Sequence, residues 1–208
     1  VAPQLKGAEF IFNNITVTGT ESLLMAAVLA KGRTTLKNCA CEPEVKSLAD
    51  FLNSCGAKIT GAGTPYITIE GVSRLKGGTH RVIPDRVEAG SFAILGAATN
   101  SHISIKNCEP AHLDSLLNML KKAGIHLKVR KTSIKIFPSR LNSVNIKTHE
   151  YPGFPTDLQA SFCVLLTQSK GSGLVHETIY EGRLLWAEEL KRMGAEIHTY
   201  DPHRIEIK

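Results

Sequence analysis

Polar residues gather at three places where a predicted strand leads into a predicted helix. These segments are residues 16–22 (TVTGTES), 84–91 (PDRVEAGS) and 152–157 (PGFPTD). The first turn of a helix carries unpaired N–H donors and the positive end of the helix dipole, so it binds anions readily. Thr, Ser and Asp are also common N-caps, and one such segment alone would indicate only the start of a helix. Three of them in a chain with a formal net charge of +6 favour a phosphate-containing ligand.

The third segment contains the sharpest catalytic candidate, Asp157. Pro152 and Pro155 restrict the backbone just before Thr156 and Asp157, and an apolar run at residues 158–166 follows. A carboxylate at the mouth of an apolar helix either caps that helix or acts as a general base. The residue types alone favour the cap and leave the base open.

A second group of charged residues lies at 177–183 (ETIYEGR), between a predicted strand and the next helix. It holds two acids, Glu177 and Glu181, together with Arg183. The planar guanidinium of Arg suits a carboxylate or a phosphate, which makes Arg183 a candidate for binding an anionic substrate. A surface ion pair is the commoner reason for such a trio.

These residues belong to a pattern that occurs three times along the chain. Gly56, Gly124 and Gly194 each end a predicted helix, and they recur about every 70 residues. Glycine suits a left-handed position after the last helical turn. The pattern predicts an α+β fold made of three β-α-β-α-β-β repeats. The predicted apolar helices are 23–30, 92–98 and 158–166, and the strands that follow them are 34–37, 102–105 and 174–177; the last strands of the repeats are 66–69, 133–136 and 204–207.

Glycine-rich residues 71–78 (GVSRLKGG) are the best linker candidate, and residues 140–143 form a tighter junction. We therefore expect one repeat in residues 1–78 and two repeats in residues 79–208. The second and third repeats are expected to pack together, with the first apart from them.

The bulk composition is that of an ordinary globular protein, with 42% hydrophobic and 21% charged residues. We see no signal peptide and no apolar run of about 20 residues, which predicts a cytoplasmic protein without a membrane partner. The five cysteines have irregular spacing and are expected to be reduced, with no metal site. The residues Val1, Ala2 and Pro3 do not look like a natural start, which suggests that cutting produced this N-terminus.

Six ordered motifs of the chain resemble those of the UDP-N-acetylglucosamine 1-carboxyvinyltransferases, a family of enolpyruvyl transferases. The resemblance runs from about Leu5 to the end of the chain. The motifs are residues 16–27 (TVTGTESLLMAA), 42–45 (EPEV), 84–92 (PDRVEAGSF), 154–159 (FPTDLQ), 177–183 (ETIYEGR) and 189–195 (ELKRMGA). The resemblance implies an inside-out architecture of two lobes, each with three such repeats, helices inside and strands outward. It implies that residues 1–78 are one repeat of the first, catalytic lobe and that residues 79–208 are two repeats of the second lobe.

The same resemblance implies a reaction and its participants. The family transfers the enolpyruvyl group of phosphoenolpyruvate to the 3′-hydroxyl of UDP-N-acetylglucosamine and releases phosphate, the first committed step of peptidoglycan synthesis. This step links the protein to cell-wall formation, cell shape, the cell cycle and cell division. No cofactor is implied.

The resemblance also implies roles for individual residues. Asp157 matches the aspartate that contacts and deprotonates the 3′-hydroxyl, and Arg183 matches an arginine facing phosphoenolpyruvate. The substrate-binding residues that it implies are Asn14, Ile15, Thr16 and Val17 in a loop for the uridine diphosphate, Thr156 and Asp157, and Ile179 through its backbone. The chain departs from the family in having Asn14 where some members have Lys, and Gly182 where Asn is common.

Several features of the family have no counterpart here, namely an early Lys-Asn pair, a loop with a reactive Cys, and late Asp and Arg residues. We therefore expect an internal part of the enzyme that is inactive alone. One alternative is a nucleic-acid-binding or RNA-processing module built from related repeats, but one Trp and four Tyr are few for a stacking surface. Another is an inert structural domain, which does not explain the Asp157 and Arg183 motifs.

Overall fold

A computed structural model describes residues 4–208 of the chain. The predicted cut before Val1 falls outside the described residues. The chain divides into two compact units, Val1–Ile83 and Pro84–Lys208. The assignment of these units to two lobes of a larger protein stays a prediction.

The first unit contains one complete β-α-β-α-β-β repeat. Its sheet has the order β1-β2-β4-β3, in which β1 pairs parallel to β2 and the other neighbours are antiparallel. Apolar residues from both helices and from the sheet form its core, which includes Leu24, Leu36, Val45, Ile67 and Ile69. The elements are β1 (Glu9–Ile11), α1 (Val17–Ala27), β2 (Arg33–Lys37), α2 (Pro43–Ser54), β3 (Lys58–Thr60) and β4 (Tyr66–Glu70).

The second unit contains the other two repeats. The first of them consists of α3 (Arg86–Ala98), β5 (Ile103–Lys106), a short 3-10 helix (Pro110–Leu113), α4 (Asp114–Lys122), β6 (Leu127–Arg130) and β7 (Ser133–Ile136). The next consists of β8 (Ile146–Lys147), a 3-10 turn (Thr156–Leu158), α5 (Gln159–Leu166), β9 (Gly173–His176), α6 (Ala187–Arg192), β10 (Ile197–Asp201) and β11 (Arg204–Ile207). Their sheets have the orders β5-β7-β6 and β8-β9-β11-β10.

A single hydrophobic core joins the two repeats of the second unit. Helices α3 and α5 pack against each other in it. The sequence explains this packing, because α3 and α5 are apolar almost all round and such helices are buried on several sides. Leu116, Leu158 and Phe162 are among the side chains that are fully buried between the helices and the sheets.

Most of the predicted elements are present, with their ends shifted by a few residues. The helix predicted at 23–30 spans Val17–Ala27, and that predicted at 92–98 begins at Arg86. Gly56, Gly124 and Gly194 have φ of 99°, 89° and 99°, which confirms the predicted left-handed positions after the helices.

The second repeat differs from the prediction because residues 79–85 form no strand, and its sheet has three strands. Residues 79–83 belong to the first unit. The ring of His80 packs against Phe51 at 5.3 Å between centroids, and its Nε2 is 3.0 Å from Ser47 Oγ. Both partners lie on α2, so His80 makes its contacts within the first unit.

Gly90 provides a test of how the second unit is packed. A Cβ at Gly90 in α3 would lie 2.5 Å from Leu158 Cδ1 and 3.1 Å from Leu116 Cδ2. We expect Gly90→Val to lower the free energy of unfolding of this unit by about 1–3 kcal/mol, because it overpacks the core. Urea unfolding followed by the fluorescence of Trp186, the one Trp of the chain, measures this unit.

The matched control is Ser91→Val, which places the same side chain on the next, half-buried position of α3. Its effect should stay within about 0.5 kcal/mol, since Ser and Val have similar helix propensities. Equal losses for the two variants would show that the destabilisation is not specific to the close packing at Gly90.

Candidate functional site

The first polar segment forms the N-terminal turn of α1. Thr16 is its N-cap, and its Oγ1 accepts a hydrogen bond from Gly19 N at 3.2 Å. Thr20 Oγ1 donates to Thr16 O at 2.7 Å and accepts from Ala40 N at 3.1 Å, which ties the turn to the chain before α2. Asn14 and Ile15 are exposed, and Thr16 and Val17 are half-buried. The loop before α1 is thus open to a ligand while its base is fixed.

The second segment is an ordinary helix start. Asp85 caps α3, and its Oδ1 accepts from Val87 N at 2.7 Å and Glu88 N at 3.0 Å. A carboxylate therefore already occupies the donors that an anionic ligand would use. The expectation of three equivalent phosphate sites is not supported at this helix, because the cap is supplied by the chain itself.

The third segment does not use Asp157 as a cap. Asp157 lies within the 3-10 turn Thr156–Leu158, whose N-cap is Pro155, and neither this turn nor α5 has a side-chain cap. Asp157 Oδ1 instead accepts from Arg183 Nη2 at 2.7 Å. The cap interpretation favoured by residue type is therefore wrong, because the carboxylate points to the 177–183 loop and not to the helix N–H groups.

The Asp157–Arg183 ion pair is open to solvent, with 54% of the Asp157 side chain and 35% of the Arg183 side chain exposed. An ion pair with this exposure contributes at most about 1 kcal/mol. The guanidinium carbon of Arg183 also lies 5.0 Å from the centroid of the Tyr180 ring. The ion pair can therefore be exchanged for contacts with other charged groups at little cost.

A buried carboxylate lies beneath this pair. Glu177 is 0% exposed, and one of its oxygens, Oε2, accepts from Thr156 Oγ1 at 2.9 Å and Gln159 Nε2 at 2.6 Å. The other, Oε1, accepts from the backbone N of Ile179 at 2.7 Å and of Tyr180 at 3.2 Å. Four donors match the full acceptor capacity of a carboxylate, which offsets the cost of burying it.

The 177–183 loop has a second anchor at Thr148, which is also fully buried. Thr178 N donates to Thr148 Oγ1 at 2.9 Å. Further along the loop, Gly182 has φ of 67°. Glycine adopts this left-handed region without steric cost, so the residue type suits the turn of the loop at this position.

The structure brings together Thr156, Asp157, Ile179 and Arg183 at one end of β9 and α5. Asn14, Ile15, Thr16 and Val17 belong to the other compact unit. The roles of all eight residues stay predictions.

The residue that sequence reasoning did not select for the site is Glu177, together with its partner Gln159. A signal for Glu177 was present in the alternation of β9. Gly173 and Val175 point into the core, so the next position of the same parity, 177, is inward as well. A carboxylate at an inward position must be paired, which would have indicated a buried hydrogen-bond network.

The cysteines do not form a reactive centre. Cys39, Cys55, Cys108 and Cys163 are buried, Cys41 is half-buried, and all five are free. Burial raises the pKa of Cys39 to about 11, and burial also raises the pKa of Cys41, Cys108 and Cys163. Within residues 4–208, no three His, Cys, Asp or Glu side chains are grouped so that they could hold a metal ion.

Over the same described range, every helix is too short or too polar to cross a bilayer.

The family model of EPSP synthase (3-phosphoshikimate 1-carboxyvinyltransferase) matches residues 1–207 of the chain. The chain belongs to the EPSP synthase family. This family membership confirms the predicted enolpyruvyl-transferase class and gives no support to a nucleic-acid module.

Curated relatives within this EPSP synthase family carry a more specific name. UDP-N-acetylglucosamine 1-carboxyvinyltransferase of Acidobacterium capsulatum is 50% identical over 95% of this chain and 46% of its own length. The protein of the same name in Myxococcus xanthus is 47% identical over 97% of this chain and 48% of its own length. The chain thus spans about half the length of the curated relatives that it matches, as the resemblance predicted.

Solved structures of two enzymes share the fold. The enolpyruvyl transferase NikO from Streptomyces tendae has a TM-score of 0.86 at 21% identity, covering 100% of this chain and 52% of NikO. EPSP synthase from Acinetobacter baumannii has a TM-score of 0.66 at 20% identity, covering 99% of this chain and 49% of that protein. These matches confirm the α+β fold of enolpyruvyl-transferase type.

The raised thiol pKa values lead to a test of cysteine reactivity. A disulfide reagent such as DTNB reacts with the thiolate, so at pH 8 we expect Cys39 and Cys163 to stay unmodified in the native chain. Half-buried Cys41 should react first, and slowly. Mass spectrometry of peptides after timed labelling measures each site, with the chain in guanidinium as the control in which all five react. Rapid native labelling of Cys39 or Cys163 would contradict the burial described here.

Proposed function

We propose that this chain is the central part of a UDP-N-acetylglucosamine 1-carboxyvinyltransferase. The whole protein transfers the enolpyruvyl group of phosphoenolpyruvate to the 3′-hydroxyl of UDP-N-acetylglucosamine and releases phosphate. The observation that carries the proposal is the exposed Asp157–Arg183 pair above a buried carboxylate, in a chain about half identical to relatives of that name.

Asp157 acts as the general base in this proposal. Its Oδ1 is held by Arg183 at 2.7 Å, and the side chain is open to solvent, so a sugar hydroxyl can reach the carboxylate. Taking the proton from the 3′-hydroxyl increases the nucleophilicity of the oxygen that bonds to the enolpyruvyl carbon. The new bond joins this oxygen to C2 of phosphoenolpyruvate, and the bond between C2 and the phosphate oxygen breaks. The proton taken from the 3′-hydroxyl leaves Asp157 with the released phosphate, so that atoms and charges balance.

Arg183 binds the anionic donor. Its guanidinium presents paired donors to a carboxylate or a phosphate, and the Tyr180 ring at 5.0 Å limits its motion. When phosphoenolpyruvate arrives, Arg183 exchanges part of its contact with Asp157 for the substrate. This exchange places phosphoenolpyruvate next to the general base Asp157, and such proximity accelerates the reaction.

The remaining residues bind the sugar nucleotide. The exposed loop of Asn14 and Ile15, with Thr16 and Val17 at the start of α1, receives the uridine diphosphate near unpaired helix N–H groups. Thr156 and the backbone of Ile179 hold the sugar beside Asp157. The relatives' name supports UDP-N-acetylglucosamine as the acceptor. We place the reaction in peptidoglycan synthesis in the cytoplasm, and hence in cell shape, the cell cycle and cell division.

The first test replaces the base in the full-length protein that contains this chain. Asp157→Asn keeps the size and one acceptor oxygen but removes the anion, so we expect kcat to fall by about 10²–10⁴. Binding of UDP-N-acetylglucosamine should weaken only modestly, and the melting temperature should change little because the side chain is half-exposed. Phosphate release and calorimetric melting measure the two effects.

The control for this test is Asp114→Asn, an exposed aspartate in the first turn of α4. It should leave kcat unchanged. A near-normal kcat in Asp157→Asn would remove Asp157 from the chemistry and leave it as half of a surface ion pair.

A second test concerns the 208-residue chain by itself. We expect no measurable phosphate release from phosphoenolpyruvate and UDP-N-acetylglucosamine, because catalytic groups that act as a unit lose nearly all activity when some are removed. The purified chain, verified by mass, is compared with the full-length protein at equal molarity. Turnover by the chain alone would show that the described residues contain the complete site.

A further inference from the structure

We propose that Glu177 is the positioning residue of this site: it fixes Asp157 and the Ile179 backbone at the separation that the sugar nucleotide requires. The inference rests on the proposed function and deepens it. It assigns to Glu177 a role through geometry, with no contact to either substrate, since the side chain is 0% exposed.

Glu177 joins two separate segments of the chain. Thr156 and Gln159 lie on the 3-10 turn and α5, on either side of Asp157, and both donate to Oε2 of Glu177. Ile179 and Tyr180 lie on the loop after β9, and their backbone N–H groups donate to Oε1. The distance between the two pieces is therefore set by the width of one carboxylate.

Each of these two segments carries a candidate functional group on its solvent-exposed side. The turn presents Asp157, and the loop presents Ile179 and, through the Tyr180 ring, Arg183. A hydrogen-bonded contact between backbone and a buried side chain is stiffer than the exposed Asp157–Arg183 pair. Glu177, and not that pair, keeps the site in shape when the substrates displace the pair.

The length of the side chain at position 177 matters more than its charge for holding the two segments together. Gln at 177 would keep one oxygen for the N–H groups of Ile179 and Tyr180. Its amide nitrogen could donate to Gln159 Oε1 if the Gln159 amide turned over, and that oxygen has no hydrogen-bond partner among residues 4–208. Asp at 177 keeps the charge but is one methylene shorter, so it cannot bond to both pieces in their present positions.

The experiment compares these two variants in the full-length protein. For Glu177→Gln we expect kcat and KM within about threefold of the wild type. For Glu177→Asp we expect kcat to fall by about 10–100-fold and KM for UDP-N-acetylglucosamine to rise, because a misplacement of about 1 Å can cost 10²-fold in rate. Glu188→Asp, which shortens an exposed carboxylate of the same unit, is the matched control and should be neutral.

A double variant separates positioning from general stability. If Glu177 acts through Asp157, then Glu177→Asp should cost little further kcat in the Asp157→Asn background but should still raise KM for the sugar nucleotide through Ile179. A purely structural role would lower the melting temperature and the active fraction, and leave kcat per folded molecule unchanged.

The outcomes are distinct. Loss in Glu177→Asp with retention in Glu177→Gln supports the inference. Normal kinetics in Glu177→Asp, or a Gln variant as impaired as the Asp variant, overturns it while the wild-type activity leaves the proposed function intact. A wild-type full-length protein that releases no phosphate overturns the proposed function and this inference with it.

Discussion

Glu177 is a fully buried carboxylate with four hydrogen-bond donors around it, and the positions of the turn at Thr156 and of the loop at Ile179 follow from it. A buried carboxylate is destabilising unless its acceptor sites are filled. Separating the two chain segments would break these hydrogen bonds and leave the Glu177 carboxylate unpaired, which is costly. This hydrogen-bond network therefore holds the turn and the loop at a fixed separation. Asp157 and Arg183 can then be exposed, as the proposed contact with substrates requires.

The hydrogen-bond network of Glu177 depends in turn on the packing of the second unit. Gln159 begins α5, and α5 packs against α3 with little room between the helix surfaces. Gly90 permits this approach because any side chain there would overlap Leu158, the last residue of the turn that carries Asp157. The packing of α3 against α5 therefore determines where the turn with Asp157 lies. Packed helices beneath exposed charged groups are an arrangement that suits catalysis by preorganised positions.

The sequence predicted most of the fold, because the elements have strong local signals. Apolar periodicity located the helices, alternation located the strands, and glycine marked the helix ends at Gly56, Gly124 and Gly194. It did not predict that residues 79–85 would be without a strand, since the contacts of His80 with α2 are tertiary. For the site, residue type favoured Asp157 as a cap, whereas the tertiary contact with Arg183 decides otherwise. The network of Glu177 was missed because its donors come from two segments that only the fold brings together.

The most direct test of this account is amide hydrogen exchange at the Ile179 and Tyr180 N–H groups, measured by NMR on the 208-residue chain. If the Glu177 carboxylate holds the loop, both amides in the wild type should exchange at least about tenfold more slowly than in Glu177→Asp. The amide of Val175, within β9, serves as the internal reference and should exchange equally slowly in both. Equal exchange of Ile179 and Tyr180 in the two proteins would show that the loop keeps its position without Glu177 and would contradict the account.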